Sequence, residues 1–239
     1  MCKSICFLFL FVSAVPSASS AQAKILQLSG EVKIRRGVEE NWHPASAGML
    51  LEEIDTILTL ENAEVVLELG DGATFRLGSN AILDLVDLRK ITERELFLYL
   101  TAQKIDKLGP TPEKPRLRIA NISAVHGESK ADTLIASSSA ASLRRWQQET
   151  NGARALHAQQ YFSNAIIKLV KILARYPEVE DCGEVRFYVA KSFEALGQPG
   201  QALESYRVAL QEIERAGCSD TEASRRSQAA KAAVENLKK

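Results

Sequence analysis

Residues 64–77 read EVVLELGDGATFRL, and this stretch decides the fold of the N-terminal half. Apolar and polar residues alternate on both sides of Gly70-Asp71-Gly72, which is the period of a half-buried β-strand. Asp-Gly between two alternating runs is a strong hairpin signal, because glycine adopts the positive φ of a tight turn without steric cost. We therefore predict a β-hairpin whose buried face carries five apolar side chains: Val65, Leu67, Leu69, Phe75 and Leu77.

Strand patterns continue on both sides of this hairpin. Further strands are predicted at residues 25–28, 31–35, 81–86, 95–101 and 117–122. Core side chains from the connecting segments are expected at Trp42, Met49, Leu51 and Ile57. Short strands at this spacing predict an all-β sandwich, roll or small barrel.

The apolar spacing becomes helical near residue 140. Predicted helices cover residues 143–156, 162–176, 185–196 and 202–213, with stops at Pro177, Gly197 and Gly217. A fifth helix is expected to begin at a cap, Ser219 or Thr221, and to run to the C-terminus. Gly152 is a weak point of the first helix, because glycine is a poor helix former.

The first residues predict export. Residues 5–15 form an apolar run that is long enough for a signal peptide but short for a membrane span. Ala21-Gln22-Ala23 follows with small residues where a signal peptidase needs them, so we predict cleavage after Ala23, with Ala21 as the second choice. A membrane anchor is the less favoured alternative. A lipoprotein site needs a cysteine just after the apolar run, whereas Cys2 and Cys6 lie before or inside it, which argues against lipidation.

These patterns divide the chain into four segments. They are a signal peptide at 1–23, a β domain at 24–128, a linker rich in Ser and Ala at 129–141, and a helical domain at 142–239. The expected fold class is α+β in separate domains, all-β followed by all-α. We expect the mature chain to be periplasmic and soluble, since no second apolar run is long enough to span a bilayer.

The helical half resembles the tetratricopeptide repeat, whose unit is an antiparallel helix pair of about 34 residues. The structural positions of that repeat fall on Ala165, Pro177, Ala190, Phe193, Gly197, Ala202, Tyr206 and Ala209. The resemblance implies a short curved array whose first helices form a groove for an extended peptide or a partner helix. From register, the groove is expected to be lined by Trp146, Glu149, Arg186 and Tyr188. Ordinary surface or inter-helix packing is the alternative for each, and packing is favoured for Trp146.

The first half resembles the FecR domain of bacterial extracytoplasmic proteins. The matching residues lie at 29–32, 42–48, 51–59, 63–65, 70–72, 76–80 and 123–127. Ile54 stands where that family usually has glycine, and His126 where it usually has arginine. The family's namesake signals to a sigma factor through a transmembrane helix that this sequence does not show, so that role is not extended to it. The resemblance implies an extracytoplasmic β domain that binds protein or envelope ligands.

Cys182 and Cys218 flank one predicted helix pair. In an antiparallel pair those two points lie at the same end, so an oxidising compartment favours a disulfide between them. The alternative is two free thiols about one helix diameter apart, beyond bonding distance.

Composition and motifs argue against an enzyme. Lys+Arg and Asp+Glu both number 30, which does not favour a nucleic-acid partner. His43, His126 and His157 are far apart in sequence, so no metal or other cofactor is predicted. Asp71 is expected to form its turn, and Asp55 to bond nearby backbone. The pairs Arg35-Arg36 and Arg144-Arg145 are interpreted as solvated surface.

Three functional hypotheses follow. The first is an exported scaffold that binds a protein or peptide in the cell envelope, with modest affinity or with homodimerisation because the groove is short. The second is a peptidoglycan- or glycan-binding module, which would use aromatic side chains among Trp42, Phe75, Phe97 and Tyr99, or an extracytoplasmic signalling component. An envelope hydrolase is the third and least favoured, since no G-x-S-x-G motif or metal-ligand spacing is present.

Overall fold

The computed structural model describes residues 23–107 and 134–238. Within them, eight strands come first and six helices follow. The strands are β1 Ala23–Ser29, β2 Val32–Arg35, β3 His43–Pro44, β4 Leu50–Leu51, β5 Thr56–Thr59, β6 Glu64–Leu69, β7 Thr74–Leu77 and β8 Ala81–Asp84. The helices are α1 Glu93–Lys107, α2 Leu134–Ala158, α3 Phe162–Arg175, α4 Glu184–Ala195, α5 Pro199–Ala216 and α6 Thr221–Asn236. The predicted signal peptide up to residue 22, the strand at 117–122 and His126 lie outside the described residues.

The strands form two four-stranded antiparallel sheets, in the orders β4-β1-β6-β7 and β3-β2-β5-β8. The predicted hairpin is confirmed, because β6 pairs with β7 and places Val65 opposite Leu77 and Leu67 opposite Phe75. All five of its predicted core side chains are buried. In the turn, Asp71 Oδ1 accepts a hydrogen bond from the Ala73 amide at 3.1 Å. The inward faces of both sheets share one core.

Asp55 ties together two loops at one end of the β domain. The side chain is 2% exposed and accepts hydrogen bonds from the backbone amides of Gly37, at 3.1 Å, and Glu52, at 2.9 Å. The predicted local backbone bonding is therefore confirmed. Arg36 forms an ion pair with this carboxylate, and the guanidinium of Arg35 lies over the ring of Trp42. The interpretation of these two arginines as simply solvated is therefore wrong.

Of the four expected core residues from connecting segments, Leu51 and Ile57 are fully buried, whereas Trp42 and Met49 are half-buried.

The predicted strand at 95–101 is wrong, because these residues belong to helix α1. Thr92 and Glu95 form a capping box, in which the Glu95 amide donates to Thr92 Oγ1 at 3.2 Å and the Thr92 amide donates to Glu95 Oε2 at 2.8 Å. Only Leu96 of the alternating run is fully buried, while Phe97 is exposed. The strand predicted at 81–86 also ends early, at Asp84, and continues as a 3-10 turn over Leu85–Leu88.

The helices lie close to their predicted places, with two differences. Helix α2 begins at Leu134, so residues 134–141 of the predicted linker are helical. The N-cap of α6 is Asp220, whose side chain accepts from the Ala223 amide at 2.9 Å, and not Ser219 or Thr221. Gly217 ends α5 with a φ of 62°, as its position predicts. None of the described helices is long and apolar enough to cross a membrane.

Helices α2 to α6 form a layered array. Each contacts the next along the chain, and α2 also contacts α4, which contacts α6. The small residues Ala153, Ala190, Ala202 and Ala209 are fully buried where these helices approach closely. Ala165 is also fully buried, but it packs with Leu156 into the core of the β domain. Phe193 and Tyr206 are buried in the helical core, and Pro177 follows the end of α3.

The first helix pair is docked directly on the two sheets. Gly152 of α2 faces β8 so closely that a Cβ on it would overlap the carbonyl oxygen of Ile82. The side chain of Gln159 donates to the Arg76 carbonyl at 2.8 Å and accepts from the Arg76 amide at 2.7 Å, on the edge strand β7. The β domain therefore has a fixed position against α2.

Polar side chains of α3 complete the same interface. Asn164 Nδ2 donates to the carbonyls of Asp87 and Arg89, both at 2.8 Å. Lys168, only 5% exposed, forms ion pairs with Asp87 and, at 3.5 Å, with Asp84. Burial opposes the charge of Lys168, but the two carboxylates outweigh it and raise its pKa. A charged lysine therefore holds α3 against the turn that follows β8.

Candidate binding groove

A groove of about 670 Å³ lies between α2 and α4, with the connection from β7 to β8 as its wall. Its polar and aromatic lining comes from Ser79, Asn151, Arg154, His157, Tyr188 and Lys191, and we call it the α2–α4 groove. It lies on the side of the array where α2 and α4 contact each other. The site is therefore built from both halves of the chain.

Two cations flank the ring of Tyr188. The guanidinium of Arg154 lies 5.2 Å from the ring centroid and the ammonium of Lys191 lies 5.9 Å from it. Arg154 also contacts the carboxylate of Glu184 at 3.2 Å. Arg154 and Lys191 are both exposed, while Tyr188 is half-buried. The groove thus carries two positive charges close to one aromatic ring, and one of the charges is partly neutralised.

His157 lines the groove and is held in one orientation by hydrogen bonding to α4. Its Nδ1 lies 2.9 Å from Ser192 Oγ, and that hydroxyl donates to the Tyr188 carbonyl at 2.8 Å. Because a serine hydroxyl has one hydrogen, Nδ1 must be the donor in the first bond, which leaves Nε2 as an acceptor. Burial and the charge of Lys191 lower the pKa of His157. The imidazole is therefore neutral at pH 7, and the positive charge of the groove comes from the arginine and the lysine.

The β-domain wall is fixed by hydrogen bonds to the loop between β7 and β8. Asn151 Nδ2 donates to the Asn80 carbonyl at 2.8 Å, and Gln148 Nε2 donates to Asn80 Oδ1 at 3.3 Å. Asn80 has a φ of 50°, a left-handed conformation that asparagine tolerates better than most residues. The wall and the helices therefore present their groups to the groove in a preset geometry.

Of the four residues predicted to line a groove, only Tyr188 lies in this one. Glu149 is 4% exposed and is bound by Arg145, Arg175 and Tyr176. Trp146 packs against the helical core, and Arg186 pairs with Glu212 at 3.5 Å on another side of α4. The structure therefore does not bring these four side chains together.

Sequence reasoning missed Arg154, His157 and Lys191. The signal that could have found them is their spacing, because Arg154 and His157 are three apart on α2, as are Tyr188 and Lys191 on α4. The pair on α2 and the pair on α4 line the same groove.

The predicted disulfide between Cys182 and Cys218 is present, with the two Cα atoms 5.9 Å apart. It joins the residue before Gly183, the N-cap of α4, to the residue after Gly217, the C-cap of α5. The bond therefore closes one helix pair at its open end.

Within residues 23–107 and 134–238, no three His, Cys, Asp or Glu side chains are grouped to hold a metal ion. No family model, curated protein or solved structure was found to match this chain. What the fold defines is a two-sheet β domain with a layered array of helices docked on it.

Proposed function

We propose that this chain is an exported, non-catalytic binding protein of the bacterial envelope, whose α2–α4 groove holds an extended peptide segment bearing acidic side chains. The observation that carries the proposal is the pair of cations around Tyr188 in a groove of preset shape. The resemblance to tetratricopeptide repeats supports it, because in that family the first helices of successive pairs line the groove. The first helices of the two predicted pairs here, α2 and α4, contact each other.

The groove offers a specific mode of recognition. A guanidinium binds a carboxylate through paired hydrogen bonds, and an ammonium adds a point charge. The exposed part of Tyr188 supplies an apolar contact for the aliphatic part of the segment. Because the cations are exposed, each contact contributes modestly, and salt should weaken binding.

Export is supported by the disulfide, which persists in oxidising compartments. For signal-peptide cleavage we now propose the second of the two predicted sites, after Ala21, in place of the site after Ala23. Ala23 is the first residue of β1, is buried and pairs with both Leu51 and Leu69. Intact mass of the exported chain is expected to give Gln22 as its first residue; a chain that begins at Lys24 would contradict this.

The glycan-binding alternative required a set of exposed aromatic side chains on one face of the β domain, and the structure does not group them in this way. Phe97 and Tyr99 belong to helix α1, so they do not share the face of a strand. Phe75 is fully buried, and the ring of Trp42 lies under Arg35. Peptide binding is therefore the function that we propose.

Fluorescence anisotropy tests the proposal, with a fluorescein-labelled peptide of alternating Glu and Ala as the probe. We expect the double variant Arg154→Gln, Lys191→Gln to weaken binding about tenfold, since two partly exposed ionic contacts are lost. The matched control is Lys171→Gln with Arg225→Gln, which removes the same charge from exposed positions of α3 and α6. Equal binding by the groove variant and the wild type would refute the proposed site.

A further inference from the structure

The loops tied together by Asp55 form an exposed surface that is rich in glutamate, whereas the groove carries positive charges. Val38 is 100% exposed, Ile54 66% and Leu50 57%, which makes them three of the largest apolar exposures in the described residues. Glutamates border them at Glu39, Glu40, Glu52 and Glu53, all exposed. We call these seven residues the acidic tip.

The acidic tip has a defined shape. Arg36 joins its two loops, because it pairs with Asp55 and donates to the Leu50 carbonyl at 3.0 Å. The loops also touch directly, since a Cβ on Gly37 would lie 3.0 Å from Ile54 Cδ1. Asp55, with its bonds to the Gly37 and Glu52 amides, is buried beneath them. The exposed apolar side chains are therefore held on a structured base, and exposed apolar groups with a polar rim are typical of interaction sites.

We propose that the acidic tip of one copy docks into the α2–α4 groove of a second copy. The two surfaces are complementary: glutamates around Val38 and Ile54 meet Arg154 and Lys191 around Tyr188. The full chain has 30 basic and 30 acidic residues, of which cleavage after Ala21 removes only Lys3, so little net charge opposes association. This inference rests on the proposed binding role of the groove and gives a second copy of this chain, through its folded acidic tip, as an occupant besides the extended segment.

The geometry has a consequence for the assembly. The tip and the groove are different surfaces, so the contact is head-to-tail and each added copy leaves one free tip and one free groove. Open chains that grow with concentration are therefore expected. The patch is small and its charges are exposed, so the association should be weak and should weaken further with added salt.

Sedimentation velocity of the disulfide-bonded mature chain tests the proposal. The wild type is expected to sediment faster as its concentration rises from micromolar to millimolar. The tip variant Glu39→Lys, Glu40→Lys and the groove variant Arg154→Gln, Lys191→Gln should each remain monomeric. The matched control Glu204→Lys, Glu235→Lys carries the same charge change on exposed positions of α5 and α6 and should associate like the wild type.

Mixing the two monomeric variants gives the decisive measurement. The intact tip of the groove variant meets the intact groove of the tip variant, so an equimolar mixture should form dimers and nothing larger. Circular dichroism establishes that both variants are folded. A wild type that is monomeric at every concentration overturns the inference, as does a mixture that stays monomeric.

The outcome separates the two proposals. A monomeric wild type that still binds the Glu-Ala probe overturns self-docking and leaves the peptide-binding function in place. If self-docking is right, the Glu-Ala probe should compete with the acidic tip for the groove and dissociate the head-to-tail assemblies into monomers. Assembly that survives loss of the groove cations also overturns the inference, because it must use another surface.

Discussion

At the scale of single residues, Lys168 carries an interaction between the two halves. Replacement by Met leaves the carboxylate of Asp87, which is 8% exposed, buried without its cation. We expect Lys168→Met to lower the free energy of unfolding by about 3–5 kcal/mol, measured by urea denaturation. The control Lys171→Met, exposed on the same helix, should change it by less than about 0.5 kcal/mol. Equal effects would contradict the assigned role.

The titration of His157 is a second test at this scale. Burial and the charge of Lys191 lower its pKa from 6.5. An NMR titration should therefore give a midpoint below 6.5, and Lys191→Gln should raise that midpoint by removing the neighbouring charge. The unfolded chain binds the proton more readily, so the contribution to stability falls as the pH drops below 6.5. An unchanged midpoint in Lys191→Gln would show that the ammonium does not act on this ring.

The sequence foretold some of these residues and not others. The bonds of Asp55 to the Glu52 amide and of Asp71 to the Ala73 amide were predictable, because they are local in sequence. The contacts of Asp55 with Arg36 and Gly37 are not local, and no sequence pattern indicated them. Lys168 and Asp87 are 81 residues apart, and no local pattern reports such a pair. Glu149 was expected in a groove from helical register, but it is buried, and Arg145 and Arg175 pair with it.

At the scale of elements, the contact of α2 with β8 depends on Gly152. In an exposed helix, Gly→Ala is favourable by about 1 kcal/mol, because alanine is the better helix former. At this position the added Cβ meets backbone of Ile82, which cannot move aside as a side chain would. Gly152→Ala is therefore expected to lower the thermal midpoint of unfolding.

Gly200 is the matched control for Gly152. It lies in α5, and a Cβ on it would meet nothing within 4 Å. Gly200→Ala should therefore raise the thermal midpoint or leave it unchanged. Stabilisation by both substitutions would show that α2 is not pressed against β8.

The same glycine shows where element prediction succeeds and fails. Helical spacing identified the helices, and Gly152 was recognised as unfavourable for one, but its reason lies across the interface in β8. Residues 95–101 alternate like a strand, yet the capping box of Thr92 and Glu95 starts a helix there. The capping box therefore identifies this segment as a helix, although the alternation of its apolar residues also fits a strand.

At the scale of the whole molecule, side chains of the first helix pair complete the core of the β domain. Leu156 and Ala165 of the first helix pair are buried among the side chains of both sheets. We therefore expect the β domain and the helices to unfold together. The chain has two tryptophans, one in each half. In Trp146→Phe and Trp42→Phe, the remaining tryptophan reports on one half, and the two urea transitions should coincide. Two separated midpoints would contradict a single cooperative unit.

The disulfide is the second constraint on the whole molecule. It closes a loop across a sequence separation of 36 residues. Replacing both Cys182 and Cys218 with Ser is expected to lower the free energy of unfolding by about 4 kcal/mol in the chain-entropy model. Urea denaturation measures the loss, and the reduced wild type should behave like the double variant. A loss of less than about 1 kcal/mol would show that the crosslink constrains the unfolded chain little.

The hydrogen bonds of Gln159 to strand β7 have a consequence for aggregation at high protein concentration. The outer rim of a sheet offers free amides and carbonyls on which a foreign segment can add itself and start a fibre. The carboxamide of Gln159 satisfies both backbone groups of Arg76, as one residue of an extra strand would. The side chain of Gln159, directly after α2, therefore blocks this position of edge strand β7, where a strand of another polypeptide would otherwise add to the sheet.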